Sequence, residues 1–268
     1  VWRIVRINGD GSIRLILDDV AKDSSGNAIN TAFNTNNDDN AYVGYMYGTP
    51  GSTTYEATHE NKNNSTIKVA VDKWYEDNLK TNYANYLSDT LFCGDKTLAE
   101  SGLGGVTTQL GYGTNTTYYS SIERLSYSSG TTEITTSTPT FKCAEKTNDN
   151  YSRYTTTKSA LPDGKETNGN LKYPIGLLTA DEVVYAGTYK EGATNGKYYL
   201  YNSSISSNCW LLTPFGLYNE WFIGSSGFIH RFRGLNSSYP FRPSINLKKN
   251  VKFSGTGTSS DPYKIVSE

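Results

Sequence analysis

The sequence predicts an α+β fold of antiparallel strands, two short helices and long irregular loops, and three observations carry that reading. The first is composition. Asn, Ser and Thr number 25, 28 and 32, so they fill 85 of 268 positions, and 25 Gly bring the total to 110. Such residues favour turns and caps, because short polar side chains compete with helix and sheet for backbone hydrogen bonds. The second is that only 19% of residues are charged while Tyr alone supplies 22, a balance unlike that of a disordered chain. The third is pattern: Val, Ile, Tyr and Thr gather in short runs between turn residues, which suits strands, and a single Met and a single Gln argue against a helical bundle. We read the chain as one domain, 1–268, with long polar insertions at about 20–64 and 99–170.

In chain order, residues 2–7 (WRIVRI) and 12–17 (SIRLIL) flank Asn8-Gly9-Asp10-Gly11, which signals a β-hairpin. From 20 to 64, Asn, Asp, Gly, Thr and Tyr dominate. A decorated loop with one strand near 41–48 is expected there. Ile67, Ala70, Val71 and Trp74 then fall at i, i+3, i+4 and i+7, which predicts an amphipathic helix over 65–79 with Asn64 or Ser65 as its N-cap. Residues 99–170 are poor in aliphatics and are expected to form irregular surface hairpins. Order returns with a strand at 173–178. It runs into Thr179-Ala180-Asp181-Glu182, a capping box that starts a second helix over 180–186, with Gly187 as its left-handed stop. Strands are expected at 198–201, 209–213, 221–224, 227–232 and 241–247, and a last hairpin at 251–266.

Several function classes are excluded. A net charge of −1 offers no footprint for a phosphate backbone, so nucleic acid is not an expected partner. No apolar run of membrane-spanning length occurs, and the opening VWRIVRINGD reads as strand and turn rather than a signal peptide. Beginning at Val1 without Met, the chain reads as a fragment or mature ectodomain. His59 and His230 are isolated, and no zinc-protease, G-x-S-x-G or P-loop motif is present. Asp18-Asp19 and Asp38-Asp39 lack EF-hand spacing and read as solvated loop carboxylates. No metal, cofactor or catalytic residue is therefore expected. Cys93, Cys143 and Cys209 leave one odd thiol after any pairing. In an extracellular chain Cys93 with Cys143 is the expected disulfide, because both flank one long polar excursion; three buried free thiols are the alternative.

One segment stands out. Residues 210–241 hold nine aromatics in 32 positions, against 13% in the whole chain. They alternate with Asn, Arg, His, Ser and Gly, the mixture of rigid rings and small hydrogen-bonding groups that recognition surfaces favour. The expected binding face is Tyr218, Asn219, Phe222, Phe228, His230, Arg231, Phe232, Arg233, Asn236 and Tyr239. The competing reading is an aromatic core, with Ile223, Ile229 and Trp221 pointing inward. From Phe222 to Leu247 there is no Lys, Glu, Gln, Met or Trp, the pattern that adenine-directed mutagenesis of asparagine-type codons would leave.

The motifs VWRIVRINGDGSIRLI, IKVAVDKWYEDNL, DTLFCGD, FKCAEKTND, YPIGLLTADEVVYAG, YYLY, CWLLTP and FRPSINLKKNVKFSGTGTSSDPYKI occur in that order. With them the chain resembles prepilin-related surface proteins of Gram-positive gut bacteria, whose C-terminal part has a C-type-lectin-like fold. Trp210, Thr213-Pro214, Gly227 and Arg242-Pro243 fall on that family's recurring scaffold positions, while Phe241 and Cys209 depart from it. The resemblance implies cell-surface display through a prepilin-like membrane helix upstream. It is also similar to variable proteins of diversity-generating retroelements, which place mutable residues on one exposed face. The calcium-dependent sugar tripeptides of animal lectins are absent, and a fold does not carry a function by itself. The leading expectation is thus a non-enzymatic extracellular domain binding a protein or glycan ligand on a host or neighbouring cell. A structural pilus or cell-wall subunit is the second, and a carbohydrate-active enzyme with paired carboxylates in a cleft the third.

Overall fold

The computed structural model describes residues 1–99, 117–125, 138–143, 150–188, 198–216, 218–231, 234–258 and 260–266. The first eight strands are β1 (Trp2–Ile7), β2 (Ile13–Leu17), β3 (Asn30–Thr31), β4 (Met46–Tyr47), β5 (Asn63–Asn64), β6 (Phe92–Cys93), β7 (Arg153–Tyr154) and β8 (Ile175–Gly176). After them come β9 (Cys209–Gly216), β10 (Asn219–Ile223), β11 (Ile229–His230), β12 (Tyr239–Pro240), β13 (Ser244–Leu247), β14 (Phe253–Ser254) and β15 (Lys264–Ile265). The helices are α1 (Tyr55–His59), α2 (Thr66–Asn78), α3 (Lys80–Tyr83), α4 (Ser121–Arg124) and α5 (Ala180–Tyr185). The architecture is mixed α+β: short helices around several small antiparallel sheets, with no barrel among the described residues.

A four-stranded sheet in the order β1-β2-β13-β8 joins both ends of the chain. Its opening hairpin is the expected one. Gly11 takes φ +82 in the turn, Asn8 N donates to Ser12 O at 2.8 Å, and Asp10 accepts from the Ser12 backbone and hydroxyl. A three-stranded sheet, β11-β10-β9, shares an apolar cluster with it through Ile16, Leu211 and Trp221.

Strand alternation divides the interior in two. Leu15, Trp210, Leu212 and Phe222 enter one apolar cluster with Phe33, Tyr45, Val71 and Trp74. Their neighbours Ile16, Leu211 and Trp221 enter a second with Leu178, Val183, Phe215 and Ile229. Successive side chains of a strand point to opposite faces, so β9 is buried along its whole length.

Helix α2 is the expected amphipathic helix, and Ser65 rather than Asn64 caps it. Ser65 Oγ accepts from Lys68 N at 3.3 Å and donates to Tyr45 O at 2.7 Å. The capping box of α5 is complete: Thr179 Oγ1 accepts from Glu182 N at 3.1 Å, and Thr179 N donates to Glu182 Oε2 at 2.9 Å.

Four expectations need correction. Residues 198–201 form a turn, closed by Tyr201 N donating to Tyr198 O at 3.0 Å, instead of a strand. The expected strand near 41–48 is a 3-10 turn, Asn40–Val43, followed by the two-residue β4. There are more than two helices, since α1, α3 and α4 are single turns too short to leave a period in the sequence. The two polar stretches are also more than surface decoration. Phe33, Val43 and Tyr45 from the first, and Tyr119, Leu125 and Tyr154 from the second, are buried in the core. Aromatic rings bury large areas each, so widely spaced ones anchor a chain whose other residues are polar.

Candidate recognition face

The described residues of the expected binding segment include β10, β11 and β12. Phe222 opposes His230 across the β10–β11 pair and Trp210 across the β9–β10 pair. This register builds a row of rings. Phe222 stacks on His230 at 4.8 Å and on Tyr239 at 5.9 Å, and Phe228 lies 5.7 Å from His230. Trp210 supports the row from below, 5.2 Å from Tyr239, with its indole N–H donating to Thr31 O at 3.0 Å.

Exposure sorts the ten expected residues. Tyr218 and Asn236 are exposed, and Phe228, His230 and Tyr239 are half-buried. Asn219, Phe222 and Arg231 are buried, so those three do not belong to an exposed face. The reasons are local. Asn219 is pinned between Gly216 and Gly234 by backbone pairing, Phe222 is the inner ring of the row, and Arg231 lies with its guanidinium carbon 5.4 Å over the Phe215 ring. Phe232 and Arg233 lie outside the described residues. Alternation around β11 otherwise follows expectation: Ile229 points into the second cluster while Phe228 and His230 stay partly outside. Of the other two inward candidates, Ile223 is half-buried against the same cluster and Trp221 is fully buried with its indole N–H on Ser121 Oγ at 2.9 Å.

The turn after β11 completes the face. Leu235 N donates to Tyr218 O at 3.1 Å and Ser237 N to Gly234 O at 2.9 Å, which seats Asn236 on the turn joined to Tyr218. His230 Nδ1 accepts the Arg231 backbone N–H at 2.7 Å, which fixes its ring plane against Phe222. The result is a set of rings held by sheet pairing, with little side-chain freedom left to lose on binding.

Sequence reasoning missed a polar interior. Arg124 bridges Asp95 at 2.7 Å and Asp181 at 2.8 Å, and Glu182 pairs with Arg6 at 3.1 Å. These groups line a cleft of about 700 Å³ that shares no residue with the aromatic face. Asp95 and Asp181 are the paired carboxylates an enzyme reading would look for, and both are already engaged by one guanidinium.

Glu220, between Asn219 and Trp221, is wholly buried, and among the described residues no donor reaches either carboxyl oxygen. Burial pushes its pKa well above the ordinary carboxylate value, against the opposing charge of Lys96. No local signal in the sequence separates this Glu from a solvated one. Among the described residues no three His, Cys, Asp or Glu gather as metal ligands. Asp39 caps the 3-10 turn, accepting from Ala41 N and Gly51 N, while Asp18 and Asp19 pair with Arg3 and Lys22. Cys93 and Cys143 form a disulfide, and Cys209 is a buried free thiol. No protein family, curated protein or solved structure matches the chain.

Proposed function

We propose that this chain is a non-enzymatic ligand-binding domain of adhesion or receptor type, displayed outside the cell, with a C-type-lectin-like fold. The observation that carries the reading is the row Phe228–His230–Phe222–Tyr239, partly open to solvent and held on paired strands. Its half-buried members Phe228, His230 and Tyr239 would supply apolar contact, while Tyr218 and Asn236 would add hydrogen bonds to a protein or glycan ligand. The Cys93–Cys143 disulfide supports an oxidising, extracellular setting. Membrane attachment in this reading comes from a prepilin-like helix upstream.

The test is a triple variant, Phe228→Ala, His230→Ala and Tyr239→Ala, compared with the parent chain for binding to intact epithelial and bacterial cells by flow cytometry. Loss of at least about tenfold in affinity is expected with an unchanged fold by circular dichroism. Unchanged binding rejects the face. Filament assembly that the same variant abolishes would replace this reading with the structural-subunit one. Diversification by a retroelement further requires a reverse-transcriptase gene and a near-copy template repeat beside the coding DNA for 215–247, which sequencing of the locus decides.

A further inference from the structure

Lys96 and Asn61 are held in side-chain contact, and Lys96 acts electrostatically on the buried carboxyl of Glu220. Lys96 is almost fully buried, and its Nζ donates to Asn61 Oδ1 at 2.9 Å and to His59 O at 2.8 Å. The C=O bond adds at most about 1.2 Å, so Nζ lies within about 4.1 Å of the Asn61 amide carbon.

The carboxamide is held at both ends. Its oxygen also accepts from Tyr154 Oη at 3.3 Å, and its Nδ2 donates to Tyr151 O at 3.1 Å and Asn170 Oδ1 at 3.3 Å. Tyr154 Oη stays on the carbonyl oxygen when Nζ turns to the carbon, and stands ready for a developing negative charge. Asn61 is half-exposed, so a small leaving group has a way out. Glu220 is the third group: fully buried, with neither oxygen reached by a donor among the described residues, and with Lys96 as the charge that acts on it. A carboxyl kept in that state adds nothing to packing that an apolar residue of the same shape would not.

We propose that Lys96 and Asn61 condense spontaneously into an isopeptide bond, with Glu220 as the proton carrier. Lys96 Nζ first gives its ammonium proton to solvent and then attacks Asn61 Cγ as the amine. The Nζ–Cγ bond forms and the Cγ–Nδ2 bond breaks. Glu220 gives its proton to the departing Nδ2H2, which leaves as ammonia, and takes back the proton shed by Nζ, so it ends as it began. No oxidant, metal or co-reactant enters. The bond would tie the turn after α1 to the segment after β6, next to Cys93 of the disulfide.

Intact-mass spectrometry of the full chain, reduced to open the disulfide, tests this directly. The expected mass is lower than the sequence mass by one ammonia, and a tryptic digest should contain one branched species joining the Asn61 and Lys96 peptides. Lys96→Arg and Glu220→Gln should each restore the full mass. A parent chain at the sequence mass overturns the proposal whether or not the variants fold. So does an ammonia deficit that survives Lys96→Arg, or a branch between other residues. Full cross-linking in Glu220→Gln overturns the role given to Glu220.

Discussion

Cys209 and Tyr198 show how burial sets the chemistry of single side chains. Burial pushes the Cys209 thiol to about 12, from an ordinary 9.0, against the opposing charge of Arg242. It pushes the Tyr198 phenol to about 12, from 10.0, against the same charge. Both acids bind their proton more tightly in the folded chain. Their contribution is therefore constant below the unfolded values and is lost as pH rises from about 9 toward 12, where the unfolded chain ionises first. The thermal midpoint is expected to fall across that window, and Cys209→Ala to fall less steeply; equal slopes would contradict the assignment. Native Cys209 should also resist iodoacetamide at about pH 8, because the thiolate is the reactive form, and should label once guanidinium unfolds the chain. Neither property is legible at the residue itself. A Cys beside a Trp reads the same in a core and on a surface until the packing of β9 is known.

At the scale of elements, legibility followed length and local chemistry. The opening hairpin, α2 and α5 were readable because each carries its own signal: a four-residue turn, a helical spacing, and a capping box. Helices α1, α3 and α4 have four or five residues each, too few for a periodicity, and nucleation alone makes such turns unstable in isolation. They exist because the core holds them.

Gly216 illustrates another limit. It sits at φ +142, and an added Cβ would meet Thr117 O and Tyr118 Cα, each at 2.8 Å, a close approach no sequence rule announces. For α5, Thr179→Ala should destabilise the protein by about 1 kcal/mol, the usual value of a lost N-cap, measured by urea denaturation. No change would mean that the Glu182 pairs with Arg6 and the Thr179 backbone suffice to hold the helix start.

For the whole molecule, the Cys93–Cys143 disulfide closes a separation of 50 residues and fixes one wall of the charged cleft. Restraint of the unfolded chain makes such a bond worth about 2–4 kcal/mol. Guanidinium unfolding of the parent against Cys93→Ser/Cys143→Ser is expected to differ by that amount, and coincident curves would show that the bond adds nothing. The sequence by itself determined the class of fold, the capping box of α5, the hairpin and the segment from which recognition is proposed, because these depend on neighbours close along the chain. Tertiary structure alone decided which members of that segment face solvent. Phe222 and Phe228 belong to one aromatic-rich stretch, yet one is sealed beneath His230 and Tyr239 while the other stays open. The same holds for the contact of Asn61 with Lys96, drawn from the turn after α1 and the segment after β6. Which groups share an interior depends on how distant faces pack, and burial, which sets their pKa values and reactivity, exists only once that packing is made.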